Sequence, residues 1–525
     1  MPTVTRRQAL RLTAGAAASA LAFPRVLRAA SAPVFPHGVV RGEPTADAIG
    51  AEVLASGGNA VDALVTAALA VGIAAPAMTG PGGYGAAIII ASADGKKLVA
   101  IDANSTAPAA AQPDMFPLDD KGAVRGRANH HGWLAAGVPG ILAGLQLALD
   151  RHGTRSFRDC ASPAIKLSRD GITLSASVAT TMRNLAPTFA THAGGKNLFL
   201  KNDVTPPAGD TFRNPELAEL LATLAQRNSV DSFYRGDIAA RIAADFAKHG
   251  GLVTAADLAA YHAREVAPLR LAWDDRTAIL TPPLTAGGFT MLQTLATLRA
   301  LDFAALPAGL ARTHTYLEAL RLAWSDRLTL LGDPEFAKVP QEKLLSDDYA
   351  RECAARIRAA VAAKKILPHP AESRPQSGTI NLSAVDRHGN LAAITLTHGD
   401  GFGAAVTIDG LGLTLGHGMS RFESRPGHPN SPAPGKRPLH NMSPAIVLRD
   451  GRPVLALGAR GGRKIPNAVL AALTEFVAFE RPLATAIAAP RLHTEGTPAI
   501  EPEPTWSAPE LAALPALGYK VKTAA

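Results

Sequence analysis

The sequence predicts an α+β protein whose first part is mainly helical and whose last part is rich in strands. Two observations carry this. From Pro139 to about Leu330 the pattern is helical, broken by polar turns such as His249-Gly250-Gly251. After a connector containing Pro368, Pro370 and Pro375, the texture changes to alternating strands. No segment repeats.

At 525 residues, 47% apolar and 18% charged, the chain can bury a sizeable core as one large domain or two to three smaller ones. The first 32 residues stand apart. Arg6-Arg7 open them, an Ala/Leu-rich stretch follows, and Ala30-Ser31-Ala32 ends them. A charged start, an apolar middle and a small-x-small end describe an export signal, and the paired arginines indicate the twin-arginine type. The alternative is an N-terminal anchor, because Pro24 and Arg25 interrupt the apolar run. No later stretch supplies the ~20 uninterrupted apolar residues of a membrane span. The expected location is periplasmic or secreted.

Residues 1–32 hold five arginines and no acid, so the net charge of +9 becomes +9 − 5 = +4 without them. That excess is scattered, without a basic stripe interleaved with aromatics, and gives nucleic-acid binding little support. Cys160 and Cys353 either pair or remain two buried thiols. No Cys/His cluster has metal-ligand spacing, and His130-His131 reads as a surface or loop pair. No metal or organic cofactor is expected.

Residues 45–75 read as a long amphipathic helix interrupted at Gly57-Gly58-Asn59. Thr79 to Gly85 form a glycine-rich turn. It lacks the lysine of a phosphate loop and precedes a strand rather than a helix, so a structural role is the better reading. Strands are expected over 86–91 and 97–102. A basic helix, Arg351 to Lys365, runs into the proline-rich connector, which has the character of a segment that can be cut without loss of the core.

The sharpest local feature begins at Ser377-Gly378-Thr379. Residues 380, 382 and 384 are apolar, which predicts a strand with one buried face, and Asp386-Arg387-His388-Gly389-Asn390 has the composition of a hairpin turn. If Asp386 pairs with Asn390, the register sum is 386 + 390 = 776, and 379 + 397 gives the same sum. Thr379 and Thr397 then face each other with Cβ atoms about 5 Å apart. A threonine hydroxyl becomes a nucleophile when a base takes its proton, and the α-amine of a threonine at a new N-terminus can be that base. Gly378 leaves room for backbone strain at the bond to be cut. The alternative is ordinary strand chemistry, since threonine favours strands. A second feature, the Gly461-Gly462 turn before a helix-like segment, offers two successive N–H groups to a developing oxyanion or is a plain strand-to-helix turn.

The chain resembles the γ-glutamyltransferase (glutathione hydrolase) proenzyme family from about residue 38 to 520. In-order matches include Gly57-Gly58-Asn59-Ala60-Val61-Asp62-Ala63, Gly137-Val138-Pro139-Gly140, Gly250-Gly251-Leu252-Val253-Thr254 and Asp257-Leu258-Ala259-Ala260-Tyr261. They continue through Ser325-Asp326-Arg327, Leu331-Gly332-Asp333-Pro334, the Thr379 strand, Lys436-Arg437-Pro438, Met442-Ser443-Pro444 and the Gly461-Gly462 turn. The resemblance implies an N-terminal-nucleophile hydrolase, a four-layer αββα sandwich that cuts itself between Gly378 and Thr379. It implies Thr379 as nucleophile, Thr397 as its hydroxyl neighbour, and Gly461 and Gly462 as oxyanion donors. The large subunit would be 33–378 and the small one 379–525, which is 525 − 378 = 147 residues, both from one precursor. The substrate would be a small amide, glutathione or another acyl amide.

The departures fall on the positions that the resemblance assigns to substrate. Asn104 stands where the family has an arginine for the glutamyl α-carboxylate. Arg421, before Phe422, replaces the aspartate for the α-amine; His440-Asn441 replace a serine pair; Gly399 replaces an asparagine. A cation at the amine grip repels an ammonium and suits a carboxylate. The alternative substrate is therefore a carboxylate-terminated acyl group without the amine, glutaryl- or oxamate-like. The other reading of Arg421 points it to solvent or to a surface acid. The chain also ends at Ala525, where the family continues. A non-catalytic exported binding protein is a further alternative, against which Thr379, Thr397 and the glycine pair argue.

Overall fold

The computed structural model describes residues 35–368, 376 and 378–522. The expected signal segment 1–32, Pro370, Pro375 and Ser377 lie outside the described residues.

Ten strands form two antiparallel sheets. The larger contains β1 (Gly38–Arg41), β2 (Gly85–Ala91), β3 (Leu98–Ala103), β4 (Arg264–Val266), β7 (Ile380–Asp386) and β8 (Leu391–Thr397), in the order β1-β7-β8-β2-β3-β4. The smaller contains β5 (Leu269–Ala272), β6 (Thr277–Thr281), β9 (Ala445–Arg449) and β10 (Arg452–Leu457), in the order β10-β9-β6-β5. Ile89, Ala393 and Leu391 of the first sheet meet Leu280, Ile446 and Leu448 of the second in one apolar layer. The opposite faces pack on helices: Ile88, Ile394 and Leu382 on α1 (Pro44–Ala55), α2 (Ala60–Ala74) and α3 (Ile141–His152). Ile279, Val447 and Leu455 pack on α4 (Gly288–Ala300), α5 (Leu310–Leu330), α6 (Asp347–Ala362) and α7 (Lys464–Leu473). The layers are helix, sheet, sheet, helix, as expected of the N-terminal-nucleophile hydrolase sandwich. Side-chain alternation gives each strand two apolar faces to bury, which is why both sheets need a helical cover.

Three details differ from the sequence reading, although the break it placed at Gly57-Gly58-Asn59 is present and splits the segment into two helices. Gly57 takes a left-handed φ of +89° that stops the first, and the Asn59 side chain accepts from the N–H groups of Val61 and Asp62 to start the second. The second is not amphipathic: every residue from Ala60 to Ile73 is buried. The mainly helical stretch 139–330 also contains strands β4 to β6, each of only three to five residues. Finally, the basic helix ends at Ala362 rather than Lys365. Cys160 and Cys353 are free and buried in separate apolar clusters, and burial pushes both thiols up to about 11.

Candidate active site

The site is assembled at one end of the larger sheet, and the hairpin β7–β8 sets its register. Its far end is closed by Asp386, whose Oδ1 accepts from the N–H groups of His388 (2.9 Å) and Asn390 (3.1 Å), while Gly389 supplies a φ of +87°. From there Leu391 pairs with Val385 and Leu396 with Ile380, a constant sum of 776. One step further, the Thr379 hydroxyl donates to Thr397 Oγ1 at 3.0 Å. Thr397 pairs with Gly85 across β2, and the next register position on β3 is Asn104. Thr379, Thr397, Gly85 and Asn104 thus form one row across four strands.

Thr397 Oγ1 also accepts from the Gly399 N–H at 2.8 Å, so two donors converge on that oxygen. Gly399 has a φ of +108° and lies flat on the His417 ring; a Cβ there would come within 2.4 Å of ring atoms. The backbone enters the row through Gly378 and Thr379, both with φ of +85°. That conformation is costly for a β-branched residue and marks this linkage as strained. The Gly378 carbonyl accepts from the Gly461 N–H at 3.1 Å. Gly461 and Gly462, with φ of +118° and +60°, turn the chain from β10 into α7.

Thr379, Gly462, Tyr84, Arg421, Asn441, Met442 and Ile465 line one tight pocket, closely packed around the Thr379 side chain. Arg421 does not point to solvent, and it forms a long ion pair with the partly exposed Asp400. It is 6% exposed, stacks 5.6 Å from the centre of the Tyr84 ring, and lies 3.9 Å from Asp400. Its Nε and Nη1 are buried without a hydrogen-bond partner. Asn441 Nδ2 donates to Gln376 Oε1 at 2.6 Å, and its Oδ1 accepts from Arg327 Nη2 at 3.2 Å. The neighbouring His440 is buried, its carbonyl accepts from the same Arg327 nitrogen at 2.8 Å, and burial holds its imidazole down at about 3. Asn104 is wholly buried, and its Nδ2 donates to Thr285 Oγ1 (2.9 Å) and to the Pro438 carbonyl (2.7 Å), a structural tie between the sheet and the pocket wall.

The sequence-predicted residues therefore separate by environment. Thr379, Gly462, Arg421 and Asn441 share the pocket; Gly399 sits behind Thr397, and Asn104 and His440 lie in the packed surroundings. Tyr84, Arg327 and Gln376 were not anticipated. Arg327 carried two signals, its place in the matching stretch Ser325-Asp326-Arg327 and an arginine within the helical stretch 310–330, where the structure buries it; burial and Arg463 lower it to about 9, so it is cationic at neutral pH. Among the described residues one His/Asp group gathers, His130, Asp400 and His417. His417 has no nitrogen lone pair to spare for a metal, since Nε2 accepts from the Asp400 N–H at 2.6 Å and Nδ1 engages the Ser420 hydroxyl.

Chemically, the arrangement offers a hydroxyl whose proton is drawn toward a second hydroxyl, a strained peptide bond beside it, and a backbone N–H on the carbonyl of that bond. Comparisons with known proteins show the family. The family model for Gamma-glutamyltranspeptidase matches residues 46–525. The glutathione hydrolase proenzyme of Escherichia coli (strain K12) is 35% identical over 492 residues, 91% of this chain and 84% of that protein. The acylase ACY 1 proenzyme of Pseudomonas sp. (strain SE83) is 33% identical over 489 residues, 92% of this chain and 87% of that protein. A solved structure, cephalosporin acylase from Bacillus halodurans, shares the fold with a TM-score of 0.82 at 24% identity, covering 93% of this chain and 89% of its own. With its Thr379–Thr397 hairpin in the expected register, the chain belongs to the γ-glutamyltranspeptidase family.

Proposed function

We propose that Thr379 is the nucleophile of a self-cleaving amide hydrolase or acyltransferase, and that one set of groups serves both maturation and turnover. The observation that carries this is the Gly461 N–H on the Gly378 carbonyl, 3.1 Å away, beside a Thr379 hydroxyl bonded to Thr397. In maturation the Thr379 Oγ attacks the Gly378 carbonyl carbon. The C–N bond breaks, the Thr379 nitrogen takes the proton, and an ester links Gly378 to Oγ. Water then hydrolyses the ester, leaving the Gly378 carboxylate on residues 33–378 and a free Thr379 amine on 379–525. In turnover that amine removes the Oγ proton and passes it to the leaving amine as an acyl-Thr379 ester forms. Gly461 and Gly462 N–H groups receive the oxyanion, a contribution of about 2.7–4 kcal/mol for one such donor. Water or an amine accepts the acyl group.

Two acyl donors come into question. The relatives named as glutathione hydrolases favour a γ-glutamyl amide such as glutathione. The buried Arg421, with two unpartnered N–H groups beside Thr379, favours instead an acyl group that ends in a carboxylate and lacks the amine. Arg6-Arg7 and Ala30-Ser31-Ala32 support export by a twin-arginine signal. Among the described residues no helix is long and apolar enough to cross a membrane.

Intact mass and gel analysis of the purified chain beside Thr379→Ala tests the reading. Two fragments, one beginning at Thr379 and absent from the variant, are expected; a wild-type chain that stays whole overturns it.

A further inference from the structure

Gly461 and Gly462 bring no side chain to anchor the turn they form. Among the described residues, a Cβ on Gly461 would meet only the Lys464 Cβ, at 3.7 Å, and the turn's closing bonds, from the Lys464 and Ile465 N–H groups to the Gly461 and Gly462 carbonyls, are local. The first side chain after the turn is that of Arg463, whose Nη1 donates to Glu495 Oε2 at 2.8 Å, both side chains being largely buried. Glu495 ends a chain of hydrogen bonds whose direction is set at its start. Trp324 of α5 has only an N–H to give, so the Asn467 atom that it meets at 2.7 Å is the carbonyl oxygen. Asn467 Nδ2 then faces the segment 493–495, where it donates to the Thr494 carbonyl at 2.8 Å and to His493 Nδ1 at 2.9 Å. With Nδ1 an acceptor, the ring proton sits on Nε2 and is donated to Glu495 Oε1 at 3.2 Å. Both carboxylate oxygens are thereby acceptors. Burial opposes the charge, but the His493 bond and Arg463 outweigh it and hold the Glu495 carboxyl down at about 2, so it is ionised.

We infer that Arg463 and Glu495 are positioning residues of the oxyanion turn, and that the directed chain from Trp324 through Asn467, His493 and Glu495 to Arg463 holds the Gly461 and Gly462 N–H groups in place for both self-cleavage and turnover. The inference rests on Thr379 as nucleophile and deepens that reading. An oxyanion donor is effective when it is aimed before the charge develops, so its value depends on what keeps it still. The Gly461 N–H bond to the Gly378 carbonyl cannot do this in the mature enzyme, because that carbonyl belongs to the bond that is cut. The Arg463–Glu495 pair and the Asn467 and His493 bonds lie wholly within 379–525 and are untouched by the cut. A buried ion pair replaced as a whole by apolar side chains of similar size is close to neutral for stability, so positioning and stability can be separated by experiment.

The first readout is the rate of self-cleavage, followed by gel during cell-free synthesis, because it needs no substrate. Arg463→Met should slow it by about tenfold or more, and Arg463→Lys, which keeps a charged donor for Glu495, should recover most of the rate. The double variant Arg463→Met/Glu495→Met should remain slow, although its thermal midpoint, read on the uncut Thr379→Ala background, returns close to that of the parent. In the matured enzyme the loss should fall on kcat with KM little changed, measured with γ-glutamyl-p-nitroanilide and glutaryl-p-nitroanilide. A double variant that cleaves at the wild-type rate makes the pair merely structural and overturns the inference, even if Arg463→Met alone fails to fold. A loss carried by KM with kcat intact overturns it too. A wild-type chain that stays uncut is a different failure: it removes the nucleophile on which the inference rests, and the inference with it.

Discussion

The row that carries Thr379 and the wall that carries Arg421 border one pocket but are held in opposite ways. The row is four neighbouring strands read at one register, and each position is fixed by a backbone ladder that no side chain need support. The wall comes from a short 3₁₀ turn, Gly418–Arg421, and from irregular chain around 430–444. Side chains hold it: Asn430 Nδ2 donates to the Arg421 carbonyl at 2.8 Å, its Oδ1 accepts from the Leu439 N–H at 2.9 Å, and Arg327 ties down His440 and Asn441. A ladder tolerates few changes at the reacting end. A wall built on loops can exchange the sign of its charges while the ladder stays in place, which is how glutathione hydrolase-like chemistry and a different acyl group can share one fold.

The most severe break in the comparison is at the entrance to the row. A Cβ on Gly378 would lie 1.7 Å from the Gly399 carbonyl oxygen, and Gly378 has a φ of +85°. Gly399 is also the donor that holds Thr397, so a shift there displaces both hydroxyls. Gly378→Ala should leave the chain uncut, as seen by intact mass. The far end of the same hairpin is the control. Gly389 has a similar φ of +87°, but its Cβ would find Ala93 only at 3.5 Å. Gly389→Ala should cost about 1 kcal/mol of stability and still permit cleavage.

This contrast also explains what was legible in the sequence. The opposition of Thr379 and Thr397 followed from period-two patterning and a five-residue turn, because local spacing alone sets antiparallel register. The surroundings of Arg421 did not follow. Tyr84, Asp400, Asn430 and Arg327 come from four separate parts of the chain, and no local pattern says that they meet. The same limit hid the smaller sheet, whose strands β5 and β6 are short and lie within helical texture. The second helix was misread for a different reason: alanine on every face serves an amphipathic helix and a fully buried one equally well.

A smaller effect sharpens the separation of wall from row. Arg421→Met removes the charge and keeps much of the side chain's bulk. Self-cleavage should persist, because no bond between Arg421 and Thr379, Thr397 or Gly378 is part of the row's geometry. The kcat/KM for a glutaryl amide should fall by about 10- to 100-fold, the range expected for a lost charge-assisted hydrogen bond. Loss of cleavage together with loss of turnover would mean that the two regions are one unit.

The smallest expected effect is in pH. His398, against Gly80 behind the row, and His440, in the wall, are both held down at about 3 by burial. Each is neutral in the folded protein, while the unfolded chain takes up protons below about 6.5, so the unfolded state binds more protons between about pH 3 and 6.5. Stability is therefore fully present above about pH 6.5 and is lost as pH falls toward 3. Urea midpoints measured at pH 7.5, 5.5 and 4.5 should decline in that order, and His440→Gln should flatten part of the decline. The same neutrality has a consequence for substrate. His440 is faced by Arg327, Arg421 and Asp102, and because it carries no proton, the wall's cationic grip at pH 5–8 comes from arginine alone. KM for a glutaryl amide should then show no step near pH 6.5, and such a step would place a titrating imidazole in the wall after all.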